Sequence, residues 1–132
     1  KSDTRKRPER HQRKRRQPQT PPRPLERVIL RACLAYLNAH PAVAFAFRAN
    51  TGLVSTPDGR RFKAGFVGCS DILGMLKDGR FLAVECKREG GQPTRDQLAF
   101  IERVNAGGGI AFVAVSILDC AIALEAVKNG EA

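Results

Sequence analysis

The sequence predicts an α/β domain with a mixed central sheet and helices on both faces. Three observations predict it. Apolar periodicities alternate over residues 24–130 in the order helix, strand, strand, strand, helix, strand, helix. The second and third strands are joined at "KDGR" as a hairpin, and a helix then crosses to the last strand. That last strand, "IAFVAVS", is apolar at every alternation, as a strand covered on both sides must be.

The elements follow in order. "PLERVILRACLAYLNAHP" reads as an amphipathic helix with Pro24 in its first turn and His40-Pro41 at its end. Val28, Ile29, Ala32, Cys33, Tyr36 and Leu37 recur at helical spacing and are expected to face the core. A short strand spans Ala42 to Ala49. Residues 51–69 are rich in Gly, Pro and Asp and read as a loop or a loose hairpin turning at "PDGR". Strands from Asp71 to Leu76 and Phe81 to Lys87 form the hairpin. "REGGQP" is a loop, and "TRDQLAFIERVNAGGG" is a helix. Thr94 and Gln97 stand at capping-box spacing, and the glycines from Gly107 stop the helix. "ILDCAIALEAVKNG" is the last helix, ended by Gly130. No internal repeat is present.

Charge divides the chain into two parts. The 132 residues carry a formal net charge of +10. Residues 1–24 hold ten Lys or Arg against two acids, a net of +8, which leaves +2 for the remainder. Residues 1–23 are therefore expected to be a disordered basic tail, and 24–132 one globular domain. The tail reads as a solvated extension or as a polybasic arm that neutralises phosphates with steep salt dependence; its arginine density favours the arm. A nuclear targeting signal is a further reading of the same residues. The first residue is Lys, not Met, as in a fragment. Cys33, Cys69, Cys86 and Cys120 show no zinc-type spacing and are expected to be buried free thiols in a reducing compartment. The expected location is the cytoplasm, or the nucleus of a eukaryote, with no membrane association. Neither His11 nor His40 suggests a ligand or a base.

The hairpin raises the functional question, because Asp71, Glu85 and Lys87 lie among Leu, Val, Ile and Phe. A two-residue loop at Asp78-Gly79 would place Asp71 opposite Cys86. A three-residue loop, Lys77 to Gly79, pairs Leu76 with Arg80 and places Asp71 opposite Glu85, with Gly79 supplying the left-handed residue this loop wants. In that register Asp71, Leu73, Met75, Phe81, Ala83, Glu85 and Lys87 share one face. Ile72, Gly74, Leu76, Leu82, Val84 and Cys86 share the other. Two carboxylates about 5 Å apart repel unless a cation lies between them, and a hard divalent ion removes that conflict. Lys87 on the same face could orient or deprotonate a water, or hold a phosphate. The competing reading is a structural salt-bridge network at the strand ends.

"GCSD" (Gly68 to Asp71), "ECK" (Glu85 to Lys87) and Gln97 resemble the PD-(D/E)XK nuclease superfamily. With Glu26 in "PLERVIL" and "RANTG" after Phe47, the set is most similar to the virus-type replication-repair (VRR-NUC) family, in its stand-alone phage and bacterial form. The resemblance covers residues 25 to about 120. It implies an α-β-β-β-α-β restriction-endonuclease-like core and a DNA endonuclease using Mg2+ or Mn2+, with no organic cofactor. It implies metal ligation by Asp71, Glu85, the Cys86 carbonyl and Glu26. Lys87 would orient or activate the attacking water, and Gln97 would position Lys87 or a phosphate. Ser70 stands where the superfamily name has proline. The resemblance also implies a homodimer acting on branched or Holliday-type DNA in replication, recombination or repair.

Each assignment has an ordinary counterpart. Glu26 also suits a helix first turn, and Gln97 a capping box. Arg48, Arg60, Arg61 and Lys63 form either a solvated loop face or a phosphate-binding face, and Arg13, Lys14, Arg15 and Arg16 belong to the basic arm. The alternative function is a non-catalytic nucleic-acid-binding protein using that arm. It would bind DNA with a steep salt dependence and cut nothing. A purely structural domain would gain no thermal stability from divalent ions.

Overall fold

The computed structural model describes residues 25–49, 52–64 and 66–128. The basic segment 1–24, with Arg13 to Arg16, and the expected stop at Gly130 lie outside the described residues. The elements are α1 (Glu26–Ala39), β1 (Val43–Arg48), β2 (Gly52–Ser55), β3 (Arg61–Ala64), β4 (Ile72–Leu76), β5 (Phe81–Cys86), α2 (Arg95–Ala106), β6 (Ile110–Ala114) and α3 (Ile117–Lys128). Among the described residues no helix is long and apolar enough to cross a membrane.

Four strands form one mixed sheet in the order β1-β4-β5-β6, and β2 with β3 forms a separate two-stranded sheet. β1, β4 and β5 run antiparallel in turn, and β6 is parallel to β5, across the connection made by α2. The β4–β5 turn is the three-residue loop. Leu76 N–H donates to the Arg80 carbonyl, Gly79 N–H donates to the Leu76 carbonyl, and Gly79 has φ +90°. The ladder then pairs Ile72 with Val84 and Leu73 with Ala83, which sets Asp71 against Glu85 one step further on. The segment expected to be a loop or loose hairpin is the β2–β3 hairpin. At its turn Thr56 N–H donates to the Arg60 carbonyl, and the Thr56 hydroxyl donates to Asp58.

One sheet face is closed. Ile29, Leu30, Cys33 and Leu37 of α1 and Cys120 and Leu124 of α3 pack on Ile72, Leu76, Leu82, Val84 and Cys86. Nine of these eleven side chains, all but Ile29 and Leu30, are essentially sealed from solvent, as a two-helix cover over a sheet requires. Cys33, Cys86 and Cys120, from three elements, meet in this core, and all four cysteines are free. Val28, expected in the core, is 50% exposed, because the stripe that α1 buries runs through Ile29, Leu30, Cys33 and Leu37. The opposite face is covered by α2, which lies over β5 and β6. There Ala83 and Ala111 meet Ile101, with Leu73, Phe100, Val104 and Val113 alongside.

Two close approaches set this arrangement. β1 shifts register between Val43 and Phe45, and a Cβ at Gly74 would lie 2.3 Å from the Phe45 carbonyl oxygen. Gly68 has φ +74°, and a Cβ there would lie 2.3 Å from the Asp96 carbonyl oxygen. The loop leading into Asp71 therefore rests directly on the first turn of α2. Each outer strand is also answered by an asparagine. Asn38 of α1 accepts from Ala46 N–H and donates to its carbonyl, both at 2.9 Å. Asn105 of α2 does the same at Ala111, at 2.9 and 3.0 Å.

Candidate metal centre

Three elements bring carboxylates to one end of the α2 face. Glu26 is the first residue of α1, where an acid is favoured by the helix N-terminus. Asp71 immediately precedes β4, and Glu85 lies near the end of β5. One oxygen from each side chain lies within 4.8 Å of the others. Lys87 joins them, its Nζ 3.5 Å from Glu85 Oε1 and 3.8 Å from Glu26 Oε1. With all groups ionised, three negative charges face one positive charge, and the cluster is short of two.

The partners of each acid differ. Asp71 Oδ2 accepts the Cys86 N–H at 2.9 Å, and the Asp71 carbonyl accepts the Ala49 N–H at 2.8 Å. The hairpin register and the β1 ladder thus hold Asp71 from both sides. Glu85 is 1% exposed, and neither of its carboxylate oxygens has a hydrogen-bond partner. Burial and the nearby Asp71 charge push its pKa up to about 7, against the pull of Lys87. The Ser70 hydroxyl, also sealed from solvent, is likewise without a partner beside Asp71. An ionised carboxylate buried with no hydrogen bond and only the 3.5 Å ion pair to Lys87 is costly, and a cation at the cluster removes the cost. The donors are hard oxygens, which suits Mg2+ or Mn2+.

The other expected site residues divide. Gln97 closes the capping box, its Oε1 accepting from Thr94 N–H at 2.8 Å while its own N–H donates to the Thr94 hydroxyl. Cys86 meets the cluster through its backbone, since its thiol lies in the opposite core. Arg48 is exposed and ends β1 one residue before Ala49, so it borders the cluster. Arg60 is paired with Asp58 at the β2–β3 turn, Arg61 is exposed at the start of β3, and Lys63 lies on β3. No ion pair among the described residues joins that hairpin to the acids.

Two features escaped the sequence reading. The Ser70 hydroxyl has no sequence signal beyond its place before Asp71. Phe45 and Phe47 are about half exposed on the same sheet face as the acids. Their alternation with alanine in "AFAF" is the signal that could have found them, because it puts both rings on one side of a strand. Compared with known proteins, the chain matches no protein-family model and no curated sequence.

Proposed function

We propose that the protein is a metal-dependent DNA endonuclease, with Glu26, Asp71, Glu85 and Lys87 as its centre. The observation that carries this reading is the Glu85 carboxylate, buried without a hydrogen bond to either oxygen among three acids that share one lysine. Lys87 answers one of these oxygens at 3.5 Å and leaves two of the three negative charges uncompensated, which a cation would balance. Glu26, Asp71 and Glu85 would hold Mg2+ or Mn2+, with the Cys86 carbonyl as a further oxygen donor. The bound ion would neutralise charge developing on a phosphodiester as water attacks.

The chain's own residues divide the remaining work. The Cys86 N–H fixes one Asp71 oxygen and leaves the other for the ion. Lys87, mostly buried and held by two carboxylates, is placed to orient the attacking water or to meet a non-bridging phosphate oxygen. Gln97, set by its cap at the start of α2, would position Lys87 or a phosphate. The order α1-β1-β4-β5-α2-β6 supports the restriction-endonuclease-like reading of the core. Action on branched DNA as a homodimer is the finer part of the same proposal.

The test is incubation with linear, nicked, flapped and four-way DNA in Mg2+, Mn2+ or EDTA. Cleavage in either metal that disappears in EDTA is expected. Cleavage that survives EDTA, or none on any substrate, would defeat the proposal.

A further inference from the structure

The α2 face is only half covered, and its uncovered half is aromatic. Phe45 and Phe47 are 48% and 50% exposed; their rings are tilted 20° from parallel with centroids 6.3 Å apart. The β1–β4 register pairs Phe47 with Leu73 and Phe45 with Met75, so both rings share the face of Asp71 and Glu85. Phe47 is the diagonal neighbour of Asp71, about 7–8 Å away, and Phe45 continues the row by about 7 Å along the strand. Met75 and Phe81 extend the exposed surface across the sheet. Beyond Phe81 lies a cavity of about 490 Å3 bordered by Arg80, Arg103 and the Gly107–Gly109 backbone. A contiguous exposed apolar surface is unusual on a protein face unless something binds there.

The occupant follows from the charge around it. The 24 residues before Leu25 carry +8 and lead directly into Glu26 of the acid cluster. Arg48 follows Phe47 at the end of β1, paired with Ile72 on the other face, and Arg103 is exposed at the far side of the row. Flat apolar rings flanked by cations suit a polyanion with flat apolar faces. Unpaired nucleobases have those faces free, whereas a duplex keeps them stacked inside.

We propose that Phe45 and Phe47 stack the unpaired bases of a nucleic-acid strand whose backbone runs on to the acid cluster. This deepens the nuclease reading and rests on it for the direction of the strand. It makes the preferred substrate one with a single-stranded segment beside the cut, such as a flap or frayed end, rather than a fully paired junction.

Fluorescence anisotropy in EDTA tests it with the full chain, a labelled oligothymidine and a blunt duplex of equal length. Phe45→Ala with Phe47→Ala should lower single-strand affinity about tenfold or more and change duplex affinity less than twofold. Phe45→Tyr with Phe47→Tyr keeps the rings and should bind like the parent, and light scattering should give all three proteins the same mass. Equal losses on both nucleic acids, or no loss, would overturn the inference. So would a fall from dimer to monomer in the alanine variant, which would assign the surface to a second copy of the chain. Metal-dependent cleavage by the parent without ring-dependent affinity sinks this inference and spares the nuclease. Ring-dependent affinity without cleavage does the reverse.

Discussion

The two faces of the sheet are built from the same strands and have opposite characters. On the α1–α3 face, Ile72, Leu76, Leu82, Val84 and Cys86 are sealed, and two helices share the cover. On the α2 face, a single helix covers β5 and β6, while the residues alternating with those five include Asp71, Met75, Phe81 and Glu85. The closed face follows the rule that apolar surface leaves water. The open face breaks it twice, with exposed rings on β1 and a buried carboxylate on β5. Stability is concentrated on one side, and the chemistry proposed above on the other.

The sharpest way to break this contrast is at the acids. Asp71→Ala or Glu85→Ala should reduce metal-dependent cleavage to background while leaving DNA binding in EDTA largely unchanged. A gel-based cleavage assay that finds either variant fully active would end the division of labour between the faces.

Next in size is packing. Leu82→Ala, on the closed face, should cost about 2–5 kcal/mol in urea unfolding. Phe47→Ala, half exposed on the open face, should cost less than about 1 kcal/mol. Equal costs would mean that the open face is as structural as the closed one.

Protonation gives a third test. The Glu85 pKa is raised to about 7 from an ordinary 4.5. Its favourable contribution is complete below the unfolded value and is lost as pH rises through the folded one. In EDTA, stability should therefore fall by on the order of 3 kcal/mol between about pH 4.5 and 7. Mn2+ should restore it, increasingly so at higher pH, because the ion needs the ionised carboxylate. Thermal melts from pH 5 to 8 with and without Mn2+ would read this directly, and parallel curves would contradict it.

The smallest effect concerns the helix that half covers the open face. Thr94→Ala removes its cap and should cost about 1 kcal/mol, measured by chemical denaturation. Combined with a small loss of cleavage rate it would link the cap, through Gln97, to the site. An unchanged rate would leave Gln97 a cap alone.

Much of the centre was legible in the sequence because it depends on local rules. Gly79 selects the three-residue turn, the turn sets the register, and the register opposes Asp71 and Glu85. The capping box at Thr94 was equally local. What depended on long-range packing was not legible. The register shift in β1 and the position of β1 beside β4 decide that Phe45 and Phe47 face the acids, and neither is written in a short motif. The rotation of α1 that exposes Val28 also places Glu26 near Lys87. From the residues alone, Glu26 was a first-turn acid like many others.

The paired amides of Asn38 and Asn105 have a separate consequence. A mixed sheet with two outer strands offers two templates on which further chains could add as new strands. At Ala46 and Ala111 the outward N–H and C=O are already engaged at the middle of those strands. The two side-chain amides thereby occupy the central outward-facing groups of each rim, where an added strand would have to pair.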